Sequence, residues 1–414
     1  QPGLSAGDGV AESAVPWDAA TQGKLFLVVR DNFEEVEYAA GDLSDLDLDE
    51  PAPIPQPIGL ETRLKPHQLH GLNWLVRCAS VGRPGALLAD DMGLGKTLQA
   101  IAFMAWLQDE AKEHRRPTAP LLIVAPTGLL GNWQAEIRKH LKEPWLGPLV
   151  QAFGGDLKRL REESGLSGRD IDTGRAALDS GAWRQAGVVL TTYETLRDYH
   201  FSFARSRFGL IVYDEIQKLK NPASQMTRAA KTLNASFVLG MTGTPVENRL
   251  QDLWSLMDVI APGLLGSSRD FERRYAPNDR GALAGLKAML MGGDARKPPY
   301  MVRRPKSDAL EGLPKKTVVP YQIDMPPAQA AAYQDVVVRA ASAAASGALG
   351  KGGMLSFLAA MRGVSLHPRG PQEPVGDLAQ FAADSARIES ALKVLDRARA
   401  KNEKALVFVE DRKS

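Results

Sequence analysis

Three short stretches carry residue types suited to phosphate chemistry. "LLADDMGLGKTLQA" places Gly93, Gly95, Lys96 and Thr97 in one run. Glycines let backbone N–H groups turn toward a phosphate, a lysine supplies charge, and a threonine hydroxyl can hold Mg²⁺. The strict pattern G-x-x-x-x-G-K-[ST] wants a glycine five residues before Gly95, and Asp90 stands there. Two readings are open at this point: a nucleotide loop of a different cut, or a glycine turn opening a charged helix. "FGLIVYDEIQ" ends in a carboxylate pair. Asp214 suits a metal, and Glu215, one residue further out, suits polarising an attacking water. Two acids after a strand also fit an ordinary helix start stabilised by its dipole. "SFVLGMTGTPVENRLQDLWSLM" carries Thr242, Gly243 and Thr244 in a polar turn. Small hydroxyls there can link a nucleotide site to a neighbouring surface. The competing reading is a plain strand-to-helix turn with Pro245 near the helix start.

Such a loop works only between a buried strand and a helix. "GALLADD" reads as that strand and "KTLQAIAFMAWL" as that helix. The same alternation recurs. "PLLIVAP", "PLVQAF", "GVVLTT", "FGLIVYDE" and "SFVLGMTG" are strand-like, with helical runs such as "LLGNWQAEIRKHL" and "SQMTRAAKTL" between them. This predicts an α/β fold, a parallel sheet with helices on both faces. Residues 155–186 are charged and glycine-rich, an excursion from the sheet. After Ile260 the alternation gives way to loops and helix-like runs, including "FERRYA" and "AQAAAYQDVVVRAASAAA". Low-complexity Ala/Ser/Gly at 340–353 and "HPRGPQEPVGD" read as links. "SARIESALKVLDRARAKNEKALVFVED" predicts a helix and a strand opening a further α/β unit. The expected organisation is an acidic N-terminal module with a proline-rich linker (1–58), the loop-bearing α/β domain (59–262), a helical insertion and linker (263–383), and the start of a second lobe (384–414).

Composition sets outer limits. A chain of 414 residues with 44% hydrophobic and 24% charged residues suits a globular protein of two or three domains. No apolar run approaches the ~20 residues of a membrane span. The chain starts on Gln with no charged-then-apolar leader, as expected of a fragment or processed chain. The single cysteine, Cys78, fits a reducing compartment and a buried core position in "LNWLVRCA". Six scattered histidines suggest no metal site of the protein's own. Residues 1–50 hold twelve acids against two bases, so the rest carries +12. A basic body is compatible with a polyanionic partner, and equally with a solvated surface.

Together these stretches resemble the Swi/Snf-type ATPases of helicase superfamily 2, from about Leu60 onward. "LKPHQLHGLNWL" is similar to the adenine-reading segment, "ADDMGLGKTLQA" to the phosphate loop, and "YDEIQKLKNP" to the acid box. "LIVAPTGLLGNWQAEI" and "LTTYETL" resemble strand-contacting segments, "LGMTGTPVENRLQDLWSLM" the coupling segment, and "MVRRPKSDALEGLPKK" a stretch peculiar to the family. The resemblance implies a RecA-like P-loop fold that binds ATP and Mg²⁺. It puts adenine on Gln68, and phosphates on Met92, Gly93, Leu94, Gly95, Lys96 and Thr97. Mg²⁺ would fall to Thr97 and Asp214, catalysis to Lys96, Asp214, Glu215 and Gln217, and coupling to Thr242, Gly243 and Thr244. Double-stranded DNA would meet Thr127, Trp133, Thr191, Thr192, Arg249 and Arg304. Arg304 forms a basic cluster with Arg303 and Lys306, which can brace the lobes or sit in solvent.

Departures are Ile216, where Ala or Gly is usual, and Lys65, where Arg is common. The second lobe stops after "KALVFVED", before the family's arginine motif, so weak hydrolysis by this chain alone is expected. The implied activity is ATP-driven translocation on duplex DNA, an engine used in chromatin remodelling, transcription recycling, repair and bacterial anti-phage defence; the compact lobe points to a bacterial cytoplasm, with defence as one use, or to a nucleus if eukaryotic. Other protein subunits would complete a defence or remodelling complex. A strand-separating DNA or RNA helicase and a nucleotide-gated DNA-binding scaffold are the competing functions.

Overall fold

The computed structural model describes residues 55–115, 118–161, 168–245, 249–276, 279–293, 297–309, 322–346, 353–369 and 376–407. The expected N-terminal module up to residue 54, residues 347–352 of the expected 340–353 link and most of the final strand lie outside them. Residues 404–407, where that strand was expected to begin, form no strand. The chain divides into two compact units, residues 1–313 and 314–414. Among the described residues no helix is long and apolar enough to cross a membrane.

The first unit is built on a seven-stranded sheet. Its members are β1 (Gly85–Leu88), β2 (Leu121–Val124), β3 (Leu149–Ala152), β4 (Val188–Thr191), β6 (Leu210–Asp214), β8 (Val238–Met241) and β9 (Met301–Val302). Two short strands, β5 (Arg207–Phe208) and β7 (Asn234–Ala235), pair separately. The spatial order is β3-β4-β2-β6-β8-β1-β9, and every pairing is parallel.

Most of these strands are buried on both faces, which is why they read as continuous apolar runs rather than alternating ones. Successive side chains point to opposite faces. Ala86, Leu88, Leu121, Ile123, Leu210 and Val212 enter one core, with α1 (Pro66–Ser80), α2 (Lys96–Glu113) and α3 (Leu130–His140). Leu87, Leu122, Val124, Val189, Ile211 and Tyr213 enter the other. Each such fully buried aliphatic side chain contributes about 1.5–3 kcal/mol relative to exposure.

The second core is closed by short helices. The predicted excursion is realised as a 3₁₀ turn at Gly154–Leu160, α4 (Asp170–Thr173) and α5 (Gly181–Arg184). Then come α6 (Tyr193–Asp198), α7 (His200–Ala204), α8 (Gln225–Lys231) and α9 (Leu250–Ile260). Lys231 of α8 forms a buried ion pair with Asp258 of α9 and lies 5.5 Å from the Trp254 ring centroid, tying the two helices together. Next are α10 (Ser268–Arg274), α11 (Arg280–Met291) and the single turn α12 (Lys306–Ala309). Phe271, Tyr275, Leu286, Leu290 and Met301 join the same core, so chain beyond residue 262 completes the first sheet.

The described part of the second unit is helical: α13 (Pro327–Ala345), α14 (Gly353–Leu366), α15 (Leu378–Ala383) and α16 (Ala386–Ala400). Its knot is the buried Gln329 amide, which donates to the carbonyls of Val364 (2.9 Å) and Ser365 (3.1 Å) and accepts from the Ala386 N–H (3.1 Å).

Candidate nucleotide site

In an open parallel sheet, ligands sit outside the carboxyl ends of the strands. Three neighbouring strands end level here. Leu88 of β1 and Asp214 of β6 both align with Met241 of β8. Their following loops carry the phosphate loop, the acid pair and the Thr242–Thr244 turn to one edge.

The loop turns at Gly93 (φ 87°) and Gly95 (φ 76°), backbone angles that suit glycine, and Gly95 caps α2. A Cβ on Gly95 would come within 2.4 Å of the Gln68 amide nitrogen, so α1 packs directly on the loop. Gln68 accepts from the Lys65 N–H (3.0 Å) and donates to the Leu94 carbonyl (3.4 Å). Lys96 points its ammonium at the Asp90 carbonyl (2.6 Å). Burial is the main force lowering its pKa, opposed by Glu215, Asp90, Asp214 and Asp91.

Asp214 lies across the cleft, 8% exposed. The Trp133 indole donates to its carboxylate at 2.9 Å, and the Tyr193 hydroxyl donates to its backbone carbonyl at 2.8 Å. Burial raises the Asp214 pKa first of all and the nearby Glu215 charge adds to it; the indole, the Glu215 N–H and Lys96 pull it down. Glu215 has a left-handed backbone (φ 54°, ψ 51°), a strained conformation for a non-glycine residue and one that clusters at functional sites. The Gln217 amide holds its carboxylate at 2.6 Å.

Gly93, Gly95, Lys96, Thr97, Asp214 and Glu215 line a single cleft of about 250 Å³. Met92, Leu129, Asn132 and Trp133 complete it. Leu94 is buried beneath the loop. Gly243 closes in from β8: a Cβ there would meet Met92 at 3.0 Å and the Lys96 ammonium at 3.8 Å. Thr242 is buried, and its hydroxyl accepts from the Thr244 N–H at 3.0 Å.

The comparisons with known proteins bear on the family. A family model described as the SNF2-related domain matches residues 67–369. The chain belongs to the SNF2-related family. This SNF2-related chain is 33% identical over 408 residues to the Zorya protein ZorD of Escherichia coli O139:H28, covering 94% of the chain and 36% of ZorD. It is 31% identical over 357 residues to YwqA of Bacillus subtilis, whose name describes an ATP-dependent helicase/translocase, covering 84% of the chain and 35% of YwqA. The chain thus spans about a third of the length of these relatives. A Sulfolobus solfataricus SWI2/SNF2 ATPase core solved with dsDNA is 28% identical, with a TM-score of 0.49 over 84% of this chain and 67% of that one.

Several residues of the SNF2-related domain that were expected to meet DNA are buried or paired within it. Trp133 is 1% exposed, and its indole serves Asp214 in the wall of the cleft. Thr191 and Thr192 are buried. The Thr191 hydroxyl donates to the Ala152 carbonyl (2.8 Å), and Thr192 caps α6 by accepting from the Thr195 N–H (3.0 Å). Arg304 is paired with the fully buried Asp90, so its charge is spent inside the domain. Thr127 and Arg249 are exposed. Gln217, expected to take part in catalysis, donates its amide N–H to Glu215. Asn132 and Tyr193 escaped the sequence reading, although both sit within its quoted segments.

Among the described residues no cluster of three or more His, Cys, Asp or Glu can hold a metal ion. Thr97 and Asp214 offer two oxygen donors to one cleft. That fits Mg²⁺, which is bound by one or two protein groups together with substrate phosphates rather than by a protein cage.

Proposed function

We propose that this chain is the ATP-binding part of an ATP-driven double-stranded DNA translocase working in bacterial anti-phage defence. The observation that carries the ATPase reading is the convergence of Lys96, Thr97, Asp214 and Glu215 on one cleft. Lys96 exchanges its loop carbonyl for the outer phosphates. Thr97 and Asp214 would hold Mg²⁺, which would neutralise phosphate charge. Glu215, steadied by Gln217, orients the attacking water. Gln68 meets adenine at the base of the loop, and Thr242–Thr244 report occupancy of the cleft to the rest of the domain.

The cleft falls below the ~300–1,000 Å³ of pockets that enclose a ligand. Its lining contains no arginine among the described residues. An arginine brought across the cleft is worth ~10³–10⁵ in rate. This chain alone is therefore expected to bind ATP well and hydrolyse it slowly.

For DNA, Thr127 and Arg249 are the exposed candidates, as phosphate and sugar contacts with little base readout. Arg197, which also pairs with Asp198, lines a second hollow of about 510 Å³ with Lys218 and Lys220. That supports a polyanion on this face. Similarity to ZorD over 94% of the chain supports the defence role and a cytoplasmic complex with further subunits. The test uses the full-length protein. Duplex DNA should stimulate ATP hydrolysis and drive triplex displacement without strand separation, and Glu215→Gln should abolish both. Strand separation would make it a helicase; wild-type cellular function in Glu215→Gln would make it a scaffold.

A further inference from the structure

The fold brings one cation to the root of the phosphate loop without opening it to the cleft. Strand β9 lies beside β1, and the ladder runs on past both strands. The Leu87 N–H donates to the Tyr300 carbonyl (2.8 Å), Ala89 to Val302 (2.8 Å) and Asp91 to Arg304 (3.0 Å). Arg304 then wraps Asp90. Its backbone N–H and Nε donate to one carboxylate oxygen at 3.1 and 2.9 Å, and a terminal nitrogen donates to the other. The same guanidinium bonds the Gln99 amide oxygen (2.7 Å) and the His67 carbonyl. Gln99 opens the second turn of α2, and His67 lies in the first turn of α1, so one side chain fastens both helices that flank the loop. The Lys306 N–H donates to the Asp91 carboxylate at 3.1 Å.

The Asp90 carbonyl is in turn the acceptor for the Lys96 ammonium. We propose that Arg304 is a positioning residue for the nucleotide site: through Asp90 it holds the loop and Lys96 ready before nucleotide arrives. A bidentate guanidinium–carboxylate pair is directional as well as attractive, so it fixes the carboxylate's plane and with it the loop's first peptide. A loop ordered in advance spends less binding free energy on its own ordering. This rests on the nucleotide site proposed above and names a residue outside the cleft on which that site depends.

The test separates positioning from folding. Arg304→Gln alone strands a buried carboxylate and should melt early. Asp90→Asn with Arg304→Gln removes both charges together and leaves neither buried alone, so its melting temperature without nucleotide should return toward wild type. In full-length protein, titration with Mg²⁺ and a fluorescent methylanthraniloyl-ADP should nonetheless show the double variant binding about tenfold or more weakly, a difference of about 1.4 kcal/mol. Arg304→Lys keeps the charge but loses the fork, and should fold normally with intermediate affinity. Wild-type affinity in the double variant or in Arg304→Lys overturns the inference. Lys96→Ala is the reference for a dead site. If wild type binds no better than Lys96→Ala, the nucleotide reading itself has failed and the inference falls with it.

Discussion

Replacing Trp133 with Phe removes one hydrogen-bond donor from a buried carboxylate, and the cost can be worked out. The indole–Asp214 bond is 2.9 Å long, between partners 1% and 8% exposed. A hydrogen bond to an ionised group contributes about 1.5–3 kcal/mol, and one between neutral groups about 0.5–1.5. Trp133→Phe also leaves a small void, whose cost is about the same whatever stands at position 214. A double-mutant cycle with Asp214→Asn cancels the void and leaves a coupling of about 1–2 kcal/mol. Urea unfolding followed by tryptophan emission is the assay, because every tryptophan among the described residues lies at or before Trp254, within the first unit. The pH dependence has a definite sign. Burial raises the Asp214 pKa, so ionised Asp214 costs stability, and that cost grows as pH rises through the raised value. Asp214→Asn should therefore unfold later than wild type at neutral pH and lose its advantage in acid. Losing the indole pushes the Asp214 pKa up further, so in full-length protein the acid limb of ATP hydrolysis should move to higher pH. A coupling below about 0.5 kcal/mol would refute the reasoning. So would an unchanged urea midpoint with weakened duplex binding, which would return Trp133 to the DNA surface.

Two further outcomes follow from buried charges. Desolvation lowers the Lys96 pKa, so Mg²⁺-ADP affinity should fall at alkaline pH before the ordinary lysine value of 10.5; affinity that holds to that value contradicts it. Lys231→Ala strands Asp258 in the interior and should cost about 3–5 kcal/mol by urea unfolding, whereas an apolar replacement of both partners should cost far less.

The sheet was legible because each two-faced strand is a short apolar run between turn residues, and because the loop glycines fall between such a run and a helix. The buried cysteine was legible for the same reason: Cys78 sits in an apolar helix face, where burial pushes its thiol up to about 12. Strand β9 was not, since two residues beside "RRPK" carry no period. Arg304 reads as a surface cation because a sequence displays a charge but not its partner, here 214 positions away. Hydroxyls and indoles mislead in a similar way. Thr191, Thr192 and Trp133 have the right types for a nucleic-acid strand, yet each donates or accepts within the domain. The acid pair was legible as chemistry, but the left-handed turn at Glu215 was not, because nothing in "YDEIQ" demands it.

The pairing of Asp90 with Arg304 also sets an order of events during synthesis. A ribosome adding about 5–20 residues per second needs roughly 10–40 s to travel from the first to the second. Through that interval the nascent sheet lacks its last strand, and the Asp90 carboxylate lacks the cation that makes its burial tolerable. The nucleotide loop is thus among the first parts of the domain to be translated and among the last to be finished. A nascent chain arrested shortly before residue 304 should hold a largely formed sheet around an unfinished loop.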